Sequence, residues 1–382
     1  MEYRILGRTG LKVGAIALGC EGFADKTAEE VRADFDFAIR NGINFLDLYA
    51  SNPELRSNIG AALAGRREKF VIQGHLCSVW EEGQYLRTRD PEKSLAAFED
   101  MLARLGTDYV EIGMIHYVDA EADLREVLDG PIMRLAQRLR SEGRIRHIGL
   151  SSHNPVVAHM AARTGLIDVL MFSVNPCYDL LPPSDDVDTL WADESYAQEL
   201  HNIDPERQRL YEFCEREGIA IDVMKAYGGG DLLSDANSPF GRPMTPVQCL
   251  EYALTRPGVA AVMAGCRSRA EIEAALAWCS ATAAERDYTG ALAGLDKFSW
   301  EGHCMYCGHC APCSVGIDIA GVNKYYNLTL AQHEIPETVR EHYRLLPHHA
   351  SECIACGRCE RNCPFGVDII GHMRLAAAKF GY

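Results

Sequence analysis

Eight short apolar runs, most of them followed by an amphipathic segment, fill most of the first 280 residues of this 382-residue chain. The strand candidates are Ala15–Leu18, Asn44–Asp47, Phe70–Gln73, Val110–Ile115, His147–Ser151, Val169–Ser173, Ala220–Met224 and Val259–Ala264. Helical periodicity lies between them, for example at Ala28–Asn41, Pro91–Leu105, Asp123–Glu142 and Pro205–Glu217. A strand that returns through a helix pairs parallel to its predecessor. Eight such repeats over roughly 250 residues predict an α/β chain closed into a (β/α)8 barrel, with the C-terminal ends of the strands converging on one mouth. Before the first strand, Tyr3–Leu6, Gly7–Gly10 and Leu11–Val13 read as a hairpin that plugs the bottom. The predicted division is a barrel over 1–285, a linker over 286–303 and a small unit over 304–382.

That last unit carries eight of the fifteen cysteines, in two tight runs: Cys304, Cys307, Cys310, Cys313, and Cys353, Cys356, Cys359, Cys363. The second run, closed by Pro364, has the spacing C-x2-C-x2-C-x3-C-P, which holds a cubane 4Fe–4S cluster. Two intervening residues let neighbouring thiolates curl round adjacent corners of a cube. Each run is followed by an echo, Gly316-Ile317-Asp318-Ile319 and Gly366-Val367-Asp368-Ile369, so the unit is internally duplicated. Zinc sites favour two C-x2-C pairs across a longer spacer, which does not describe these runs. Disulfides belong to secreted chains, and no secretory signal opens this one. A unit this small depends on its clusters to fold.

The net charge of −16 disfavours a nucleic-acid role, which needs a basic surface. No apolar run reaches membrane-spanning length. With free cysteines as well, these features point to a reducing cytoplasm. The acidic surface suits a basic redox partner or simply solubility. One connection is long: between Ser173 and Pro205 runs an acidic stretch with Trp191 and Tyr196. It follows a strand, so it belongs at the mouth, and the aromatics favour a lid.

The barrel resembles the aldo/keto reductases. The resemblance is carried by Tyr3-Arg4-Ile5-Leu6-Gly7-Arg8-Thr9-Gly10-Leu11-Lys12-Val13, by Gly42–Asp47, by Gly143–Ser151 and by Gly265-Cys266-Arg267-Ser268. With the cysteine unit, the chain resembles the iron–sulfur branch of that family: a (β/α)8 TIM barrel followed by a small α-helical ferredoxin-like domain. In two-cluster ferredoxins the fourth cysteine of each run ligates the other cluster. The resemblance therefore groups Cys304, Cys307, Cys310 and Cys363 on one cluster, and Cys353, Cys356, Cys359 and Cys313 on the other. It also implies catalysis by Asp, Tyr, Lys and His at the mouth. The Asp falls at Asp47 and the His at His116. The Tyr position holds Asn52 and the Lys position holds His75. An asparagine amide donates a hydrogen bond but releases no proton near neutral pH. Losing the lysine removes the cation that lowers a tyrosine's pKa. For NADP(H), the resemblance points to Ser151, Ser152, Arg267 and the helix start Ser268–Glu271, where charge and free N–H groups hold an anion. The family's adenine-contacting Asn falls at Ala275 and its nicotinamide-contacting Gln near Met171.

Other strand-end residues converge on the same mouth. His75, His116 and His153 end strands three to five. Cys20, Cys77, Cys177 and Cys266 follow strands one, three, six and eight. Lys225 ends strand seven, with Tyr227 just beyond, and these two are candidates to replace the missing cation and phenol. His116 is the main acid–base candidate, and beside it His75 would stay neutral when His116 is charged. His153 reads more readily as a hydrogen-bonded structural residue, and the cysteines as small core residues. Asp47, His75 and His116 also form a ligand set known from mononuclear iron sites.

The expected activity is therefore an iron–sulfur oxidoreductase acting on a carbonyl, sugar or enone, with a ferredoxin or flavoprotein as electron partner and no membrane partner. Two alternatives stand beside it. One is an NADPH-dependent carbonyl reductase with structural clusters. The other is non-redox lyase or isomerase chemistry, or an electron-transfer partner with a degenerate barrel. The cluster reading has a direct check. Protein purified anaerobically should be brown, with broad charge-transfer absorbance, iron and acid-labile sulfide. Colourless protein lacking both would contradict it.

Overall fold

The structure, a computed structural model, describes residues 1–330 and 335–382. Eight parallel strands close the barrel: β1 (Ile16–Gly19), β2 (Phe45–Leu48), β3 (Val71–Leu76), β4 (Val110–Ile115), β5 (Ile145–Ser152), β6 (Val169–Ser173), β7 (Ala220–Met224) and β8 (Val259–Gly265). They follow one another in chain order, and β8 pairs back on β1 with Val262 opposite Ile16. The register sets Asp47 beside Gln73, and His75 beside Met114. Each expected strand is present, shifted by at most a few residues.

The helices start on recurring signals. Pro53, Pro91, Pro155, Pro205 and Pro246 each open a helix, directly after Asn52, Asp90, Asn154, Asp204 and Thr245. The preceding side chain accepts a bond from the first turn, and proline tolerates the first position because that N–H has no helical acceptor. The helix expected over 123–142 is two helices, Glu121–Asp129 and Pro131–Ser141. The Gly130-Pro131 pair breaks it, since proline removes a donor and restricts the residue before it.

At the bottom, Tyr3–Ile5 pairs antiparallel with Lys12–Gly14. Leu6 and Val13 are buried against Phe45, Val71, Ile112 and Val169, so the hairpin seals the strands' N-terminal ends. A second hairpin, Ser78–Glu81 with Gln84–Arg87, rises from the end of β3. Its Glu82-Gly83 turn has positive φ at both residues, 51° and 81°, the geometry that suits a two-residue hairpin loop.

The stretch 286–303, expected as a linker, is packed. It holds a short helix, Thr289–Leu292, and Phe298–Ser299 pairs with Leu200–His201 of the long β6 connection. Tyr288 and Trp300 are buried. In the cysteine unit, helices Ile319–Leu330 and Ile369–Phe380 pack on each other. The sequence echo reappears as a shared helix start: Asp318 Oδ1 accepts from Gly321 N at 3.0 Å, and Asp368 Oδ1 from Gly371 N at 2.9 Å.

The unit is anchored to the barrel away from the mouth. Lys324 pairs with Glu215 at 2.9 Å, in the last turn of the helix Pro205–Glu217 that leads into β7. Tyr288 donates to the Met305 carbonyl at 2.7 Å, and Arg256, in the loop leading into β8, donates to the same oxygen. No helix among the described residues is long and apolar enough to cross a membrane.

Candidate active site and cluster ligands

At the mouth, four side chains form one hydrogen-bonded row. His75 Nε2 lies 2.8 Å from Asp47 Oδ1. His75 Nδ1 lies 2.8 Å from His116 Nδ1. His116 Nε2 lies 2.6 Å from the hydroxyl of Tyr85, which the second hairpin carries. The backbone explains the order: Asp47 and His75 lie in the adjacent β2 and β3, and His116 follows β4. Tyr49 stacks parallel to the His116 ring at 5.5 Å between centroids.

Two facing ring nitrogens at hydrogen-bond distance require one of the imidazoles to act as acceptor. With Asp47 Oδ1 as the acceptor, His75 donates from Nε2 and accepts at Nδ1. His116 then donates from Nδ1 and presents Nε2 to the phenol. These tautomers are assigned from the network. Burial, the neighbouring His75 and the cations Arg89 and Arg87 all hold His116 well below the ordinary histidine value. Burial pushes the Tyr85 phenol up to about 12, while Arg87 and Arg89 pull the other way.

Those arginines also position the row. Arg89 forks onto Asp123 at 2.7 and 2.6 Å and donates to the carbonyls of His116 and Tyr117. Arg87 donates to the Tyr117 carbonyl at 3.0 Å. Beneath them, Gln73 Nε2 donates to Asp47 Oδ1 and to Asp222 Oδ2, both at 2.9 Å, linking β2, β3 and β7 through the barrel interior. Burial, and then the charge of Asp47, raise Asp222 well above the usual carboxylate range. Asp222 is thus the carboxyl favoured to stay neutral.

Several expected site residues lie elsewhere. Asn52 is a helix cap: its Oδ1 accepts from Leu55 N at 3.0 Å. The Asn-Pro signal shared with the other helix starts could have identified it. Lys225 is exposed, with Nζ 5.4 Å above the Trp191 ring. Tyr227 packs into the core, near Cys266 and Cys249. Neither joins the hydrogen-bonded row. Tyr85 is the phenol bonded to His116, and Arg87 and Arg89 place positive charge near it. The sequence signal for Tyr85 was the Glu-Gly turn directly after a strand. His153 is held by Asp119, at 2.9 Å through the ring and 2.6 Å through its backbone N–H, as a structural residue would be. Cys20, Cys77, Cys177 and Cys266 are buried. Asp47, His75 and His116 do not converge on one point, because both ring nitrogens of His75 already face partners.

The residues expected for NADP(H) already have partners within the protein. Ser151 Oγ accepts from Tyr117 N at 2.7 Å, and Ser152 donates to Asp119 at 3.0 Å. Ser268 caps the helix Arg269–Leu276, and Glu271 Oε2 takes the Arg267 N–H at 2.6 Å. A carboxylate therefore sits where a phosphate would need free donors. A Cβ on Gly22 would lie 2.3 Å from the Cys266 carbonyl, so the β1 loop lies directly against this turn.

The long β6 connection covers a cavity of about 350 Å³, lined by Cys177, Tyr178, Trp191, Tyr196, Asp231 and Asn237 among others. The cysteine unit has two small cavities. Cys304, Cys307, Cys310 and Cys363 line the inner one, with Met305, Tyr306 and Phe365. Cys313, Cys353, Cys356 and Cys359 line the outer one, with Ile317, Ile354 and Met373. The fourth cysteine of each run thus stands with the other run. Among the described residues no three such side chains close on a single-ion centre. One zinc would need its sulfurs about 2.3 Å from the metal. Two separate sets of four thiols in largely apolar pockets fit two cubanes.

The aldo/keto reductase family model matches residues 11–249, more than half of the chain. The chain belongs to the aldo/keto reductase family. A model for a 4Fe-4S dicluster domain matches residues 303–368. This aldo/keto reductase is 28% identical over 179 residues to the uncharacterized oxidoreductase YqkF of Bacillus subtilis, covering 45% of this chain and 56% of that one. It is 28% identical over 202 residues to L-galactose dehydrogenase of Arabidopsis thaliana, covering 48% and 61%. The chain thus spans little more than half the length of these relatives. Among solved structures, aldo-keto reductase AKR11C1 from Bacillus halodurans in its holo form superposes with a TM-score of 0.57 at 24% identity, over 75% of this chain and 94% of that one. That likeness is one of fold.

The buried imidazole has a consequence for stability. An unfolded chain takes up the His116 proton near pH 6.5, whereas the folded chain resists it. Acidification through that value therefore favours unfolding. Urea titrations should show the wild type losing stability faster than His116→Gln between about pH 7 and 5. Equal losses in the two proteins would contradict the assignment.

Proposed function

We propose that this aldo/keto reductase is an oxidoreductase for a small carbonyl, sugar or enone bound at the mouth beneath the 174–204 loop. The observation that carries the reading is the Tyr85–His116–His75–Asp47 row, which ends in a phenol that is 37% exposed. When bound, the two 4Fe–4S clusters supply or accept single electrons. The cavity under the loop has the size of a small-molecule site, and its lining comes from the β6 and β7 connections, not from the row.

The protein's own groups handle the proton. In the resting tautomers the row points inward: phenol to His116, His116 to His75, His75 to Asp47. In that direction Tyr85 passes its proton to His116 Nε2 while its oxygen receives one from a substrate hydroxyl. For carbonyl reduction Tyr85 donates its proton to the substrate oxygen, and the partly exposed phenolate oxygen regains one from water while His116 keeps its tautomer. The row then gains no second charged imidazole. Arg87 and Arg89 limit the cost of any negative charge that develops on the phenol.

The alternative, hydride transfer from NADPH with clusters of purely structural role, is disfavoured by the Glu271 carboxylate at the phosphate end. Tight NADPH binding with turnover in Cys356→Ser would overturn the cluster-coupled reading. The proton role is tested with Tyr85→Phe. With dithionite-reduced protein and a panel of small carbonyls and enones, reoxidation by the active compound should slow about 10²- to 10⁴-fold, the usual contribution of a positioned acid. Iron content should be unchanged. A rate equal to wild type would remove Tyr85 from the mechanism.

A further inference from the structure

Arg256 is 2% exposed, in the loop between the helix Pro246–Leu254 and β8. Its Nη2 donates to Thr255 Oγ1 at 3.1 Å, to the Tyr288 hydroxyl at 3.2 Å and to the Met305 carbonyl. Its Nε donates to the Tyr252 carbonyl at 3.2 Å. The guanidinium lies 4.5 Å from the Tyr252 ring centroid and 5.4 Å from that of Tyr306. Its Nη1 is buried and has no partner. Among the described residues no carboxylate forms an ion pair with it. Asp179, whose charge acts on it from farther away, is already engaged by Tyr211 at 2.5 Å and Tyr252 at 2.8 Å.

A buried cation without a counter-ion is strongly unfavourable, so an anion is expected nearby. Met305 and Tyr306, the residues Arg256 touches, lie between Cys304 and Cys307 and line the inner cavity. A cubane held by four thiolates is a net anion, and it becomes more negative on reduction. We propose that Arg256 is the built-in counter-charge of the inner cluster and raises its reduction potential. This rests on the cluster reading above. Reduction potentials respond to net charge, hydrogen bonds to sulfur and solvent exposure. At the inner site the buried Arg256 offsets the added electron. The outer site is built differently. Cys356 is exposed, and the Ser314 hydroxyl lies 3.4 Å from its sulfur. The two centres are therefore tuned by different means and can be shifted separately.

The test is an anaerobic redox titration of the full chain, monitored by electron paramagnetic resonance, with iron assayed in parallel. Arg256→Met should lower the midpoint of one centre by at least tenfold in its reduction equilibrium, 59 mV for one electron. The other centre should stay in place. Arg256→Lys keeps the charge and should stay close to wild type. Ser314→Ala should move the second centre only, which identifies it as the outer one. Where the methionine variant does not accumulate, Arg256→Gln removes the charge while keeping donors for Met305, and should give the same downward shift. Tyr288→Phe, which loosens the clamp but keeps the charge, should leave both midpoints unchanged. Two wild-type signals with neither moved by loss of the charge would overturn this inference alone. So would an equal shift in Arg256→Lys, because it would implicate fork geometry instead of charge. No iron–sulfur signal in the wild type would overturn the cluster reading and this inference together.

Discussion

Two imidazole rings whose facing nitrogens are held 2.8 Å apart constrain everything at this mouth. They cannot both carry a proton on the facing nitrogens, so the charge of one is decided by the other. Asp47 breaks the symmetry by taking His75 from the far side, and Gln73 keeps Asp47 in place. The neutral His116 then presents an acceptor to Tyr85. Removing any member leaves a buried polar group without its partner, which is costly in a site of low dielectric. A hairpin after β3 brings the Tyr85 hydroxyl to His116, while Tyr49 from the β2 loop stacks on the same ring.

Proton handling and cluster ligation involve different sectors of the barrel. The row lies where β2, β3 and β4 end. The cysteine unit is fastened through Glu215 and Arg256, which precede β7 and β8. A continuous set of buried contacts joins the two regions: Met305 to Tyr288 and Arg256, Arg256 to Tyr252, and Tyr252 to Asp179. Asp179 directly follows Tyr178 in the wall of the cavity under the long connection. The packed 286–303 stretch reinforces this coupling, since Phe298 pairs with that connection while Tyr288 grips the cysteine unit. The two parts share one buried polar framework.

The barrel was legible because period and length act locally. Apolar runs of strand length alternating with amphipathic helices leave few topologies, and the eight strands fall close to their expected positions. The swapped grouping of the cysteines was implied by the resemblance to two-cluster ferredoxins, and the cavity linings group them the same way. What sequence could not give was side-chain direction beyond strand ends. Lys225 and Tyr227 end the right strand but turn to Trp191 and into the core. Asn52 occupies a catalytic position in the family alignment, yet the following proline makes it a helix cap. Tyr85 sits in a hairpin whose tilt depends on Arg87 and Arg89 reaching Tyr117 and Asp123, contacts that no short-range pattern encodes.

The central claim is that Tyr85, backed by His116, meets the reacting oxygen. An anaerobic crystal structure with a carbonyl substrate or inert analogue bound tests it most directly. The account predicts the ligand oxygen within hydrogen-bond distance of the Tyr85 hydroxyl, with the phenol still on His116 Nε2. A ligand oxygen held by Lys225 or Tyr227, with Tyr85 turned to solvent, would contradict it.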